Sequence, residues 1–265
     1  MSNTTILFVP GSFALPEFYD PVFEKVRAKG HDIHGLHMPT VGLSASQGRP
    51  GPGAPPTMYD DAAYIANEAE RLADQGKRVV IIGHSYGGTP VSQSARGLGV
   101  ADRSARGLPG GVARLAYMTC LVPAVGETAK DVLAGVPQDQ QIELAVDDSG
   151  WMVHSNPEQS ASIILQTIPP DEATALVKRF PKHSAVSFVN ELTHPGYKDI
   201  PTSYLLCEDD LCVPPDVQQR GIDVIEKESG TKVDVTRIKA DHCPNYTAEQ
   251  SVVDWIVAVA EKASS

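Results

Sequence analysis

Residues 83–87 read G-H-S-Y-G and match the G-x-S-x-G pattern, in which a serine between two glycines acts as a nucleophile. The pattern directly follows a β-branched apolar run, residues 78–82, and precedes a helical segment. A serine on such a strand–turn–helix junction stands out at the carboxyl edge of a parallel sheet, and the glycines leave room for the sharp turn. The sequence therefore predicts that Ser85 is a nucleophile for acyl-transfer chemistry.

A serine hydroxyl needs a base, and eight histidines are candidates for that role. His242 comes just after a predicted strand at residues 232–238. Because parallel strands end on the same edge of a sheet, this loop is expected to lie beside Ser85, which makes His242 the predicted base. The other histidines lie next to the serine, on or near the second strand, or in an inserted segment: His84, His31, His34, His37, His154, His183 and His194.

The base in turn needs a carboxylate on its far ring nitrogen, to set the tautomer and stabilise the imidazolium. The loop after the predicted strand at residues 203–207 supplies Glu208, Asp209 and Asp210. Glu127, which follows an earlier predicted strand, is an alternative. From position alone, the choice of acid stays open among Asp210, Asp209 and Glu127.

Strands and helices alternate along the chain. This alternation predicts an α/β fold, with a mainly parallel sheet of about six strands and helices on both faces. The predicted strands are residues 6–9, 32–38, 78–82, 112–119, 203–207 and 232–238. The predicted helices of this core are residues 21–29, 58–75, 89–98, 217–228 and 252–262.

Two stretches interrupt the alternation. Residues 41–57 are rich in proline and glycine, which predicts either a connector or a loop at the rim of a pocket. The second stretch contains helix-like pieces at residues 160–168, 171–179 and 183–192, separated by prolines. We therefore expect a core made of residues 1–123 and 201–265, with a helical lid, residues 124–200, inserted after the fourth core strand.

The composition excludes several classes of protein. The 265 residues carry a formal net charge of −11, which repels nucleic acids and anionic lipid surfaces. There is no apolar run long enough to span a bilayer and no signal peptide, so we expect a cytoplasmic protein. The four cysteines lack the spacing of a metal site or a disulfide framework, and we expect them to be reduced.

The expected partner is a small-molecule substrate rather than a nucleic acid or a membrane, and a homodimer is compatible with the sequence. We find no phosphate-binding loop, since residues 83–88 lack its lysine, and no dinucleotide fingerprint. The sequence therefore implies no cofactor and no metal.

Taken together, these motifs resemble the α/β-hydrolase superfamily over nearly the whole chain. The similarity is greatest to its small lid-bearing esterase branch, which includes plant methylesterases, hydroxynitrile lyases and esterase-like bacterial and fungal relatives. The motifs that carry the resemblance are V-P-G-S at residues 9–12, G-H-S-Y-G-G at 83–88, C-E-D-D-L-C-V-P at 207–214 with Gln218, and K-A-D-H at 239–242.

The resemblance implies roles for particular residues. It gives the acid position to Asp210 and the oxyanion hole to the backbone N–H groups of Ser12 and Tyr86. Pro10 departs from the family pattern, because it replaces a histidine that usually precedes the oxyanion glycine. His37 stands where relatives often carry an aspartate, so the identity of the substrate does not carry over.

In this branch, enzymes that cleave cyanohydrins carry a threonine in the oxyanion loop and a lysine after the catalytic histidine. The corresponding residues here are Gly11 and Cys243, which favours ester chemistry over cyanohydrin cleavage. The resemblance thus implies a serine esterase or lactonase of secondary metabolism. The alternatives are lyase or isomerase chemistry with His242 as a general base, and a ligand-binding protein with negligible turnover. The candidate pocket residues are Phe13, His37, His84, Trp151 and Glu127.

The composition of the predicted lid indicates an uncharged, hydrophobic substrate. Apolar and aromatic side chains in this segment either line the pocket or pack the lid on the core, and the sequence does not separate these two roles. They are Trp151, Met152, Val153, Ile163, Ile164, Leu165 and Phe188.

Overall fold

The computed structural model describes residues 3–49, 51 and 53–264. Over these residues the chain forms a six-stranded parallel sheet and a separate three-stranded antiparallel sheet. The strands are β1 (Thr4–Val9), β2 (Asp32–Gly35), β3 (Arg78–His84), β4 (Gly111–Met118), β5 (Leu144–Val146), β6 (Trp151–His154), β7 (His183–Ser184), β8 (Thr202–Cys207) and β9 (Asp234–Ile238). The large sheet has the order β2-β1-β3-β4-β8-β9, which confirms the predicted α/β class and the number of core strands.

Ten α-helices accompany these strands in the described part of the chain. They are α1 (Asp20–Ala28), α2 (Met58–Asp74), α3 (Gly88–Ser94), α4 (Val100–Ala105), α5 (Ala129–Leu133), α6 (Pro157–Ile164), α7 (Pro170–Val177), α8 (Pro215–Ser229), α9 (Pro244–Thr247) and α10 (Glu249–Ser264). None of the described helices is both long enough and apolar enough to cross a membrane.

Strand β3 shows how the sheet is covered on both faces. Its side chains alternate between two apolar layers, as the period of an extended strand requires. Val80 and Ile82 belong to the layer that holds α1 and α10, and Val79 and Ile81 belong to the layer that holds α2, α3 and α8. Burial on both faces explains the continuous apolar sequence of this strand.

The segment between β4 and β8 contains α5, α6, α7 and the small antiparallel sheet. The prediction of a helix over residues 183–192 was wrong. His183 and Ser184 instead form β7, which pairs with β6, and residues Ala185–Val189 form a 3-10 helix. The reason is tertiary pairing that local periodicity does not reveal, because the Ser184 N–H donates to the carbonyl of Thr40 at 2.8 Å.

The proline- and glycine-rich stretch at residues 41–57 is bound to this segment. Val41 forms a β-bridge with His183, the Gly42 N–H donates to Lys182 O at 2.9 Å, and the Trp151 ring packs on Gly48. Residues 50 and 52 of this stretch lie outside the described residues, as do residues 1, 2 and 265 of the predicted core.

Candidate active site

Ser85 occupies a sharp turn between β3 and α3. It has a φ angle of 54°, in the left-handed region that is unfavourable for a residue with a Cβ. Gly83 and Gly87 make this turn possible. A Cβ on Gly83 would come within 2.9 Å of the Gly87 backbone, and a Cβ on Gly87 would come within 2.8 Å of the Pro10 carbonyl oxygen. The backbone thus has the geometry that the G-x-S-x-G pattern predicts.

Ser85, His242 and Asp210 form one hydrogen-bonded chain. Ser85 Oγ lies 2.8 Å from His242 Nε2, and His242 Nδ1 lies 2.8 Å from Asp210 Oδ2. These three side chains come from the ends of β3, β8 and β9, which are parallel and therefore open onto the same edge of the sheet. These three side chains are shielded from solvent, since His242 is 5% exposed and Asp210 is 1% exposed.

The structure selects one of the three candidate acids for the place beside His242. Asp210 Oδ1 accepts the backbone N–H groups of Cys212 and Val213 at 2.8 and 2.9 Å, so this carboxylate is held rigidly. Asp209 is exposed to solvent. Glu127 accepts the backbone N–H of Ala124 and pairs with the partly exposed Arg220.

Two opposing effects act on the His242 imidazole. Burial disfavours the charged form of the ring. The negative charge of Asp210 favours the charged form, and the Cys212 side chain adds to this effect. The balance raises the pKa of His242 well above its ordinary value. The charged form of the ring, which a proton transfer from Ser85 would create, is therefore stabilised.

His84, next to the serine, has a different environment. Its Nδ1 lies 2.7 Å from the Tyr19 hydroxyl, and its Nε2 lies 2.8 Å from the backbone carbonyl of His242. A carbonyl can only accept, so Nε2 carries the proton and Nδ1 accepts from Tyr19. Burial and the nearby His242 lower the pKa of His84 to about 3, which keeps it neutral.

Tyr19 connects His84 to the loop that begins at Gly11. The Gly11 N–H points at the Tyr19 hydroxyl at 3.5 Å, a long contact. The hydroxyl thus lies beneath the loop in which Pro10 replaces the family's usual histidine. We call Ser85, His242, Asp210, His84 and Tyr19 the Ser85 network.

A cavity of about 470 Å³ opens above Ser85. Ser12 and Tyr86, the two residues assigned to the oxyanion hole, line it together with Phe13 and His84. Its lining is mostly apolar and includes residues of the segment between β4 and β8, among them Leu133, Val136, Ile142, Ile164, Phe180 and Phe188.

Three of the predicted pocket residues lie outside this lining. His37 follows the end of β2 and is exposed, with its Nε2 at 2.7 Å from Glu17 Oε1. Trp151 is turned toward Gly48 and is covered by that loop. Glu127 is committed to Arg220. Each has a partner elsewhere, which corrects the expectation that they face the substrate.

The apolar residues of the predicted lid divide between lining the cavity and packing away from it, the two roles that the sequence left open. Ile164 and Phe188 line the cavity. The remaining five are not part of its lining: Trp151, Met152, Val153, Ile163 and Leu165.

The remaining histidines do not contact Ser85. His154 and His183 are buried in the segment between β4 and β8, where they bond to the hydroxyls of Ser160 and Ser187 at 2.8 and 2.9 Å. The other three are exposed or half-buried: His31, His34 and His194.

Sequence reasoning missed several residues that surround Ser85. Tyr19, Asn245 and Cys212 line the cavity. Cys212 lies within the C-E-D-D-L-C-V-P motif, whereas no motif includes Tyr19 or Asn245. For Asn245 the available signal was its position three residues after His242.

Comparison with known proteins agrees with this architecture. A model of the alpha/beta hydrolase family matches residues 6–255. The chain is 33% identical over 260 residues to the probable hydrolase R7 of Phoma sp., a match that covers 98% of this chain and 99% of that protein. It is 27% identical over 259 residues to the alpha/beta hydrolase nvfD of Aspergillus novofumigatus, covering 97% and 96% of the two chains.

Among solved structures, a pyrethroid hydrolase from Sphingobium faniae superposes with a TM-score of 0.72 at 22% identity, covering 97% of this chain and 98% of that chain. This likeness concerns the fold, and the family match extends it to sequence. The chain therefore belongs to the alpha/beta hydrolase family and is an enzyme of that family.

Proposed function

We propose that this enzyme hydrolyses a small, mostly apolar carboxylic ester or lactone through an acyl-enzyme on Ser85. The observation that carries the proposal is the hydrogen-bonded order of Ser85, His242 and Asp210, with both contacts at 2.8 Å, beside an apolar cavity. Serine, imidazole and carboxylate in this order make a weak hydroxyl nucleophilic at neutral pH.

Acylation begins when Ser85 Oγ attacks the ester carbonyl and His242 Nε2 takes the hydroxyl proton. The carbonyl oxygen becomes an oxyanion, which the backbone N–H groups of Ser12 and Tyr86 stabilise. Asp210 holds the other imidazole nitrogen and offsets the positive charge. The tetrahedral intermediate collapses, and the leaving alcohol departs with the proton from His242.

Deacylation repeats these steps with water as the nucleophile. His242 removes a proton from water, the resulting hydroxide attacks the acyl carbonyl, and Ser85 leaves with the proton that His242 returns. The products are a carboxylic acid and an alcohol, or a hydroxy acid if the substrate is a lactone.

The surroundings of Ser85 support an uncharged substrate. The cavity lining is mostly apolar, and both histidines that line it beside His242 have lowered pKa values because of burial, to about 3 for His84 and about 4 for His154. An ester with an apolar body fits these surroundings, and one structural neighbour is named as a hydrolase of pyrethroids. We propose a small-molecule substrate in the cytoplasm, without a nucleic acid or membrane partner.

The test is hydrolysis of p-nitrophenyl acetate and butyrate by the wild type and by Ser85→Ala, with Ser94→Ala as a matched control. Ser94 is a buried serine in α3 whose hydroxyl bonds to the backbone carbonyl of Val91. We expect turnover by the wild type and by Ser94→Ala, and a loss of at least about 1,000-fold in Ser85→Ala.

Turnover that persists in well-folded Ser85→Ala would contradict the acyl-enzyme. Absence of turnover in folded wild type would instead favour base-catalysed lyase chemistry at His242 or ligand binding.

A further inference from the structure

Two deeply buried residues of the cavity lining carry polar atoms without a partner. Asn245 Oδ1 and His154 Nε2 have no hydrogen bond among the described residues, although the two side chains are only 6% and 8% exposed. A buried polar atom without a partner destabilises the folded protein, so each one calls for an explanation, and for an atom of a residue that lines a cavity a bound ligand is one.

The orientation of the Asn245 amide follows from its other contact. Its Nδ2 lies 3.2 Å from the backbone carbonyl of Phe18, and a carbonyl accepts only from a donor. The amide nitrogen is therefore on the Phe18 side, and the free atom is the oxygen. Asn245 Oδ1 is an acceptor that lacks a donor.

His154 is held in a similar way. Its Nδ1 lies 2.8 Å from the Ser160 hydroxyl, which leaves Nε2 unpaired. Burial lowers the pKa of His154 to about 4, so the ring is neutral and offers no charge to a carboxylate substrate. Its free nitrogen suits a neutral polar group.

Both residues belong to one continuous surface of the cavity. The His154 ring contacts Phe13 and Phe180, with centroids 4.5 and 5.6 Å apart, and Phe180 stacks on Phe18 at 5.9 Å. Phe18 accepts the hydrogen bond from Asn245. We call Phe13, Phe18, Phe180, His154 and Asn245 the aromatic wall.

We infer that the substrate of this enzyme is a hydroxylated ester or lactone, and that the aromatic wall binds its hydroxyl group through Asn245 Oδ1 and His154 Nε2. This inference rests on the proposed function of Ser85. An ester group contains only acceptor oxygens, so it cannot satisfy Asn245 Oδ1. A hydroxyl supplies the missing donor for Asn245 Oδ1, and its oxygen accepts from His154 Nε2 when that nitrogen carries the ring proton and Nδ1 accepts from Ser160.

The selectivity for such a substrate follows from the free energy lost when Asn245 Oδ1 and His154 Nε2 stay without hydrogen bonds in the complex. A site built to hydrogen-bond a hydroxyl discriminates against an analogue that lacks it, because the polar atoms of the site then stay buried without partners. A purely apolar wall would do the reverse and disfavour the hydroxylated ester.

The experiment compares straight-chain p-nitrophenyl esters, hexanoate to octanoate, with their ω-hydroxylated counterparts, and hexyl butyrate with ω-hydroxyhexyl butyrate. The two series place the hydroxyl on the acyl side and on the alcohol side. For wild type we expect kcat/KM of the preferred hydroxylated ester to exceed that of its plain counterpart by about tenfold or more.

Asn245→Leu and His154→Phe should each reduce this ratio by about tenfold, because each removes a polar atom that the substrate hydroxyl satisfies. The matched control is Gln141→Leu, which removes a cavity-lining amide that already donates to Val136 O at 3.1 Å. That variant should keep the wild-type ratio. Thermal unfolding midpoints identify variants that do not fold, and Asn245→Ala replaces Asn245→Leu if needed.

A wild-type ratio at or below one in both series would overturn the inference, as would a ratio that both wall variants leave unchanged. If the wild type hydrolyses none of these esters, the proposed function fails separately. The wall is then judged by calorimetric binding of the same ester pairs to Ser85→Ala. Tighter binding of the hydroxylated esters supports the inference, and equal binding overturns it.

Discussion

The Ser85 network and the aromatic wall border the same cavity and differ in how their polar groups are satisfied. In the network, both ring nitrogens of His242 and both ring nitrogens of His84 have partners within 2.8 Å. In the wall, Asn245 and His154 each use one polar atom on the protein and leave the other unpaired. The network is complete without a substrate, whereas the wall is not.

This difference separates two tasks of an enzyme. Groups that stabilise a transition state work best when they are already oriented, since they then need no reorganisation during the reaction. Groups that select a substrate need free hydrogen-bonding capacity until the substrate arrives. Substitutions in the Ser85 network should therefore reduce kcat for every ester, and substitutions in the aromatic wall should change which ester is preferred.

The largest effect in the network after loss of Ser85 is expected for Asp210→Asn. The amide presents the wrong hydrogen-bonding partner to His242 and removes the charge that stabilises the imidazolium, so kcat should fall by about 1,000- to 10,000-fold. Asp209→Asn, a neighbouring exposed carboxylate, is the control and should retain activity. Equal losses in the two variants, measured with p-nitrophenyl butyrate, would show that the choice of Asp210 is incorrect.

A smaller effect is expected for Tyr19→Phe. This change leaves His84 Nδ1 and the Gly11 N–H without their common partner, so the loop at Gly11 and the His242 backbone both lose support. We expect kcat to fall by about 10- to 100-fold with little change in KM.

The control for Tyr19→Phe is Tyr204→Phe, which also removes a buried hydroxyl, one that donates to Cys120 O at 2.8 Å outside the cavity lining. A similar loss of kcat in both variants would assign the effect of Tyr19 to general destabilisation.

The acid limb of the pH–rate profile tests the electrostatics of the network. His242 acts as a base only when neutral, and its pKa is raised above the ordinary value of 6.5 despite burial, by Asp210 and Cys212. The kcat/KM of the wild type should therefore decrease as the pH falls, with a midpoint above 6.5. In Asp210→Asn the midpoint should shift to lower pH. A wild-type midpoint below that of Asp210→Asn would refute this assignment.

Asp61 provides a stability effect that does not depend on the substrate. This carboxyl lies beneath Tyr86 and accepts two hydrogen bonds from Thr40, and burial raises its pKa to about 7. A carboxyl whose pKa is raised in the folded state stabilises the protein at low pH. The contribution of Asp61 to the unfolding free energy is therefore complete below about pH 4 and is lost as the pH rises toward 7.

Urea unfolding at pH values near 5 and 8 measures this contribution. Between these two conditions the wild type should lose about 3 kcal/mol more unfolding free energy than Asp61→Asn. Identical pH dependence in the two proteins would exclude Asp61 as the titrating group.

Ser85, His242 and their position near each other were predictable from the sequence because parallel strands all end at the same edge of a sheet. The β-branched run before Ser85 predicts a buried strand, and the loops after β8 and β9 must then meet at the same edge. The choice of Asp210 over Asp209 was implied only by the family resemblance. The structure supports it through the two backbone N–H groups that orient this carboxylate.

The aromatic wall and the segment between β4 and β8 were harder to predict because tertiary contacts determine their structure. The helical periodicity of residues 183–192 gave no sign that His183 and Ser184 pair with Trp151 and Met152. Trp151 and Glu127 have residue types common in pockets, but each contacts a distant part of the chain, Gly48 and Arg220 respectively. Tyr19 and Asn245 acquire their roles from contacts with residues more than fifty positions away.

The most direct test of the central claim is intact-mass analysis after treatment with a fluorophosphonate probe, followed by peptide mapping of the adduct. We predict one adduct per chain, located on Ser85, formed by the wild type and by Asn245→Leu, and absent from Ser85→Ala. An adduct on another residue, or none on folded wild-type protein, would contradict the assignment of Ser85 as the nucleophile of this enzyme.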